Sequence, residues 1–226
     1  MPQHIHKAIE QLKGRLLQLG THVEENLRDA VDALNQRDVR KAQQVIDNDN
    51  LIDELEVELE EECLKILALH QPVAVDLRFI VACLKINNDL ERVGDLAVNV
   101  AERAMYVAQQ PAVDVNLDFQ TMSSKAQWML KRSLDSLVQR DLELAEKVCR
   151  ADDEVDDLNR EMYTQVQAGL RKFPDRMDVL IHLLSTSRHL ERIADLATNI
   201  AEDVIYMIAG EIVRHRIELY HQEDQG

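Results

Sequence analysis

Three features predict an all-α chain folded as two tandem antiparallel three-helix bundles. Glycine and proline are scarce, 6 and 4 among 226 residues, and a chain with so few turn formers is poorly suited to a many-stranded sandwich or barrel. Apolar residues recur in steps of three and four, the spacing of a helix packed lengthwise in a bundle. Finally, the chain repeats itself with a period of about one hundred residues, so whatever fold the first half adopts, the second adopts again.

The repeat is clearest in two thirteen-residue segments. Residues 90–102 read LERVGDLAVNVAE and residues 190–202 read LERIADLATNIAE, identical at nine positions. Upstream, Gln36-Arg37-Asp38 recurs as Gln139-Arg140-Asp141. The spacing Asp49, Ile52, Asp53, Leu55 recurs as Asp152, Val155, Asp156, Leu158, and Pro72 has its counterpart in Pro174. Domain limits of 1–110 and 111–226 follow, with Pro111 marking the seam.

Each element has a local reason. The first helix spans about 4–36, and Asp38 caps the second, about 38–70, by offering a carboxylate to unpaired N–H groups. Pro72 sits in the turn before the third helix, about 73–109, where a missing N–H costs little. That helix carries an unbroken stripe of Phe79, Cys83, Ile86, Leu90, Val93, Ala97, Val100, Ala104 and Val107. The same logic gives helices at about 117–139, 141–172 and 175–221, with Asp141 as a cap and Pro174 before the last. Short connections make neighbours in sequence antiparallel. Trp128 and Met129 fall in the apolar pattern of the fourth helix and read as core residues.

Composition excludes several functions. With 42 acidic against 26 basic side chains and a formal charge of −16, the chain lacks the basic footprint of nucleic-acid binding. Apolar runs are too short to span a bilayer, and no signal peptide is evident at the start. Cys63, Cys83 and Cys149 stand singly in helical patterns, which reads as three small buried side chains in a reducing cytoplasm. Eight histidines are scattered. Of these, His4 and His6 lie near the start, while His182 and His189 read as surface or boundary residues. No phosphate-binding loop, nucleophile elbow, dinucleotide fingerprint or Cys-x-x-Cys is present, so no enzyme is indicated.

The chemistry that the pattern does offer is carboxylate. Glu91, Asp95, Asn99 and Glu102 share one face of the third helix, and Glu191, Asp195, Asn199 and Glu202 repeat the arrangement. Farther up the same stripe Val81 and Leu84, and in the second copy Ile181 and Leu184, are apolar, which suggests a lined site. If the second and third helices turn back near residues 71–72, residue n faces residue 143 − n. Asp49 and Asp53 then meet Glu91 and Asp95 at one level, and Asp152 and Asp156 meet Glu191 and Asp195. Converging carboxylates repel unless a cation lies among them. Calcium, magnesium, manganese and iron all accept such donors. Arg92 and Arg192 could instead neutralise the glutamates as ion pairs, and the sequence leaves both readings open. Glu-x-x-His pairs are absent from the acidic segments, which weakens a di-iron oxidase.

At these residues the chain resembles the PhoU family of phosphate-specific transport accessory proteins. The resemblance rests on LER(V/I)xDxAxNxAE occurring twice, on the Arg-Asp pair before each second helix, and on D-x-x-(I/V)-D-x-L within it, and it covers nearly the whole chain. It implies a cytoplasmic negative regulator of the phosphate-starvation response. Such a protein would couple the ATPase subunit of the Pst phosphate transporter to a PhoR-type sensor histidine kinase. It further implies multinuclear iron or zinc at Asp49, Asp53, Glu91, Asp95 and Asn99, and at Asp152, Asp156, Glu191, Asp195 and Asn199. A homodimer is expected from spare helical faces, with membranes met only through partners. The competing readings are a carboxylate-rich metal-storage or oxidase bundle, a PhoU-like accessory of another phosphate transporter, and a purely structural scaffold.

Overall fold

The computed structural model describes the backbone of residues 2–210 and side chains from Ile5 onward. Within that range the chain forms six α-helices and no strand: α1 (Pro2–Gln36), α2 (Val39–His70), α3 (Ala74–Ala108), α4 (Phe119–Gln139), α5 (Leu142–Lys172) and α6 (Met177–Ala209). The expected six-helix, two-bundle architecture is the one observed. A single 3-10 turn, Pro174–Arg176, precedes α6, with the proline at its first position where no N–H is required.

The caps anticipated from sequence form as drawn. Asp38 accepts from the backbone N–H groups of Arg40 and Lys41, and Asp141 accepts from that of Leu144. Asp118 does the same for Thr121, so α4 starts at Phe119, two residues later than expected. The sixth helix is shorter than expected. Gly210 adopts φ 76°, a left-handed conformation that glycine takes without strain, and its N–H closes the helix on Tyr206 O. Residues 211–221 of that expectation lie outside the described residues.

Helices α1, α2 and α3 pack mutually, as do α4, α5 and α6, and the halves join through α3 against α6 and α1 against α4. The four inner helices therefore close a ring, with α2 and α5 on its flanks. One continuous apolar cluster runs through both halves, from Leu12, Leu16 and Leu19 of α1 to Ile200, Ala201 and Val204 of α6. Every residue of the α3 stripe from Phe79 to Val107 is buried, and each large apolar side chain so buried contributes about 1.5–3 kcal/mol.

Helices α3 and α6 run antiparallel. Lys85 of α3 donates to Asp203 of α6 at 2.8 Å, and the Tyr106 ring stacks on His182 with centroids 3.9 Å apart. Both pairs are equidistant in sequence from Gly94 and Ala194, so the halves are related by an approximate two-fold axis at that level. This crossing carries the repeated segment of each half to one place. No described helix is long and apolar enough to cross a membrane.

Two sequence expectations fail in detail. Trp128 is 40 % exposed while its neighbour Met129 is fully buried. Consecutive residues on a helix point about 100° apart, and the core side of α4 takes the methionine. The apolar lead-in to the acidic stripe also differs between halves. Val81, Leu84 and Leu184 are half-buried, but Ile181 is 51 % exposed, on the side of α6 away from the buried Val179 and Leu180. The cysteines are free and buried as expected. Burial holds the Cys63 and Cys149 thiols up at about 12 and Cys83 well above its ordinary value.

Candidate functional site

The α2–α3 hairpin has the register expected of it. The Asn87 side-chain amide donates to the Glu56 carbonyl at 3.0 Å and to the Glu56 carboxylate at 3.1 Å. Their residue numbers sum to the 143 inferred from the turn position. One consequence lies two helical turns along, where Asp49 reaches the backbone of Gly94. A methyl group there would stand 3.1 Å from Asp49 Oδ1 and 3.2 Å from Ile52 Cγ2. The second hairpin is held at the corresponding level by Ser187, which donates to Asn159.

Asp49, Asp53, Glu91 and Asp95 come together as an electrostatic group. Burial first, then the charges of Asp53 and Asp95, push the Asp49 carboxyl up to about 6. Glu91 is raised by burial and then by Asp95, Glu56, Asp53 and Asp49 in turn. The second group behaves alike. Burial, with the charges of Asp195 and Asp156, pushes Asp152 up to about 7, while the Thr198 hydroxyl opposes the shift. Glu191 and Asp195 are raised by burial and by Asp156. The bases offset this unequally. Arg188 and Arg192 pull Glu191 back down, and Arg160 pairs with Asp156 at 3.3 Å. In the first group Arg92 turns instead to Asp89, at 3.2 Å.

Four contributors escaped the sequence reading. Glu56 adds a further carboxylate to the first group, one turn from Asp53 on the same face, a spacing that could have identified it. Thr198 occupies the place of Val98, and its buried hydroxyl has no hydrogen-bond partner of good geometry. Arg160 and Arg188 have no basic counterparts in the first half, where Val57 and Asn88 stand.

The remaining motif residues meet elsewhere. Arg92, Asp95, Leu96 and Asn99 of α3 and Arg192, Asp195, Leu196 and Asn199 of α6 line a single cleft of about 390 Å³ across the two-fold axis. Asp95 and Asp195 thus border both their own carboxylate group and the shared cleft. Asn99 donates its amide to Asp95 O at 2.8 Å, which leaves its carbonyl oxygen as the atom able to serve as a ligand.

The donor chemistry suits a hard or borderline cation, since carboxylates that raise one another's pKa gain from a positive charge among them. As the side chains stand, however, no three His, Cys, Asp or Glu groups among the described residues close around one point at ligand spacing. A cation would require carboxylates to rotate inward, and the exposed positions of Asp53, Asp95 and Asp195 permit that. His189 lies outside this set. Burial, together with Arg103, Arg192 and Arg188, holds it down at about 4, and its ring faces Ser185 at 3.2 Å.

Comparison with known proteins agrees with the doubled motif. The PhoU domain matches residues 16–104 and again 119–204. A phosphate-specific transport system accessory protein PhoU homolog of Aquifex aeolicus is 39 % identical over 220 residues, covering 97 % of this chain and 98 % of that protein. The homolog from Pseudomonas aeruginosa is 36 % identical over 214 residues, covering 94 % and 88 %. Among solved structures, PhoU from Pseudomonas aeruginosa superposes with a TM-score of 0.89 at 35 % identity, covering 91 % of this chain and 99 % of that one. The phosphate transport system regulatory protein PhoU from Streptococcus pneumoniae gives 0.83 at 27 % identity, covering 92 % and 99 %. With the domain matched twice and relatives aligned along almost its full length, the chain belongs to the PhoU family of phosphate transport accessory proteins.

Proposed function

We propose that this protein is a cytoplasmic negative regulator of the phosphate-starvation response. In this reading it links the ATPase subunit of a Pst-type phosphate transporter to a PhoR-type sensor histidine kinase, as a homodimer. The observation that carries the reading is the match of both halves to one accessory-protein domain, each half retaining the whole acidic motif. A protein of this kind acts by presenting surfaces, and long, acidic, partly exposed helical faces are suited to that. Deletion of the gene, with a phosphate-responsive promoter fused to a reporter, tests it. Loss of repression at high phosphate is expected, and unchanged expression at both high and low phosphate overturns it. Co-purification with the transporter ATPase and the kinase from phosphate-replete cells separates this adaptor from an accessory of a different phosphate transporter.

A second reading concerns the carboxylates. Asp49, Asp53, Glu91, Asp95 and Asn99, with Asp152, Asp156, Glu191, Asp195 and Asn199, would hold a multinuclear iron or zinc site in each half, magnesium, manganese or calcium being the alternatives. The elevation of Asp49 and Glu91 by burial and by the charges of Asp95 and Asp53, and of Asp152 and Glu191 by burial and by those of Asp195 and Asp156, supports it. Bound cations would neutralise the two groups and stiffen each hairpin. Elemental analysis of the purified protein should show metal that falls in Asp95→Ala/Asp195→Ala. Equal content in that variant rejects the ligand set. Saturable iron uptake or oxygen consumption would instead favour a storage or oxidase bundle.

A further inference from the structure

Trp128 is the only tryptophan in the chain and is 40 % exposed. It forms a ridge between two adjoining grooves. One, of about 480 Å³, lies between α4 and α5 and is walled by Lys125, Lys147, Arg150 and Glu154. The other, of about 430 Å³, lies between α1 and α4. Partly exposed tryptophan and arginine beside a groove are the side chains that most often dominate protein–protein contacts.

The duplication shows that this surface is not demanded by the fold. The first two helices of each half correspond with an offset of 103, that of Arg37 and Arg140, and burial follows that register through α1 and α4: Leu19, Val23, Leu27 and Leu34 match Met122, Ala126, Leu130 and Leu137, all buried. In the same register Trp128, Lys125, Lys147 and Arg150 replace Glu25, His22, Gln44 and Asp47. The first half therefore builds an equivalent pair of helices with neither a large apolar ring nor a permanent cation at these places. The second half has gained both, on a chain whose overall charge is −16.

We infer that the α4–α5 groove is a docking site for an acidic segment of a partner protein, anchored by one aromatic or large aliphatic side chain against Trp128. The cations now pair with acids of their own surface: Lys125 with Glu154, Lys147 with Glu143 at 2.8 Å, and Arg150 with Glu146 at 3.2 Å. Exposed pairs of this kind contribute little, so an incoming carboxylate can exchange with them at small cost. A nucleotide fits less well. The walls are the sides of helices, whose N–H groups are already bonded within the helix, so phosphates would meet only surface cations. The second groove, on the far side of the indole, extends the surface to the length of a peptide. This inference deepens the adaptor reading and rests on it.

The test uses the full-length protein and a displayed library of random dodecapeptides, counter-selected against Trp128→Ala. Enrichment of acidic peptides sharing one apolar anchor is expected. The synthetic consensus peptide, titrated in, should shift the emission of Trp128, whose fluorescence is the chain's only tryptophan signal. Its affinity should fall at least tenfold in Lys147→Glu/Arg150→Glu and with added salt. Circular dichroism on these exposed substitutions verifies the fold. A basic or uncharged consensus, no peptide that depends on Trp128, or equal binding to the charge-reversed variant overturns the inference. So does a saturable emission shift with adenosine diphosphate and none with peptide, which would make the groove a small-molecule site. These readouts are independent of reporter expression, so the docking site and the adaptor function can fail separately.

Discussion

Gly94 leaves room for Asp49: a methyl group at position 94 would press on the aspartate Oδ1 at 3.1 Å and on Ile52 Cγ2 at 3.2 Å. In the second half Asp152 faces Ala194, where that methyl group is native, and α5 and α6 accommodate it. Two effects of Gly94→Ala oppose each other. Alanine favours the helix by about 1 kcal/mol, and the contact with Ile52, itself 1 % exposed, costs a similar amount. Stability by urea denaturation should stay within about 1 kcal/mol of the parent. The Asp49 carboxyl should move outward, and its titration, followed by carbon NMR, should fall from about 6 toward the ordinary aspartate value. A stability loss well beyond this would show that Ile52 cannot yield.

The two acid groups and His189 give opposite limbs to the pH dependence of stability. Asp49 and Asp152 titrate at about 6 and about 7 in the folded protein, against 3.8 when unfolded. Their protonated forms are favoured by the fold, so this stabilisation is complete below about pH 4 and is lost as pH rises through 6 and 7. His189 titrates at about 4 against an ordinary 6.5. Its neutral form is favoured, so stability declines as pH falls from 6.5 toward 4. Two carboxyls outweigh one imidazole, so in metal-free buffer the melting temperature should fall on the alkaline side of about pH 4 and level off above about pH 7, His189 making the fall shallower. Asp152→Asn should raise stability at neutral pH by about 1–2 kcal/mol, discounted for partial exposure, and flatten the alkaline limb. An alkaline limb unchanged in Asp152→Asn would refute the assignment.

These groups also show what a sequence can reveal. The hairpin register followed from one turn position, and the Asn87–Glu56 bonds sit where it placed them. Caps and core stripe were equally legible, because they depend on residues close in the chain. Periodicity gives a helix its faces but does not say which helix will cover them. Hence Trp128, on an apolar pattern, lies outside, while the acids Asp89 and Asp203 are buried at 8 % and 2 % exposure. The shared cleft of Asp95 and Asp195 was invisible for the same reason. It exists only because α3 crosses α6, a pairing that no local signal encodes.

The Lys85–Asp203 pair is the clearest polar tie across that crossing. Asp203 is almost wholly buried, whereas its partner is partly exposed, and the Lys85 ammonium also lies 5.4 Å from the centre of the Tyr206 ring. Lys85→Met keeps the aliphatic stem but leaves a carboxylate in the core without its cation. A loss of about 3 kcal/mol is expected, read as a lower urea midpoint with an unchanged slope. Lys85→Met/Asp203→Leu should recover most of it, since an apolar pair of similar volume removes the buried charge altogether. Failure of the double variant to recover would mean that Asp203 serves contacts beyond Lys85.

Arg37 and Arg140 occupy the same place in the two halves, in the same left-handed conformation at φ 55° and 53°, yet their replacement by glycine should have opposite effects. Each ends a helix one residue before a capping aspartate, where glycine would relieve about 1 kcal/mol of backbone strain. Arg140 is exposed and the cap at its position is made by its backbone N–H to Ser136 O. Arg140→Gly should therefore stabilise the protein by about 0.5–1 kcal/mol. The Arg37 guanidinium, in contrast, donates to Val107 O at 2.5 Å, to Ala108 O at 3.4 Å and to Gln110 O, closing the end of α3 against the start of the linker. Hydrogen bonds from a charged group are worth about 1.5–3 kcal/mol, more than the strain relieved. Arg37→Gly should destabilise by about 1–2 kcal/mol and speed amide hydrogen exchange across the segment that follows α3, residues 109–117. Measured in one thermal series, two substitutions of the same sign would show that backbone strain, not the grip on the linker, decides both positions.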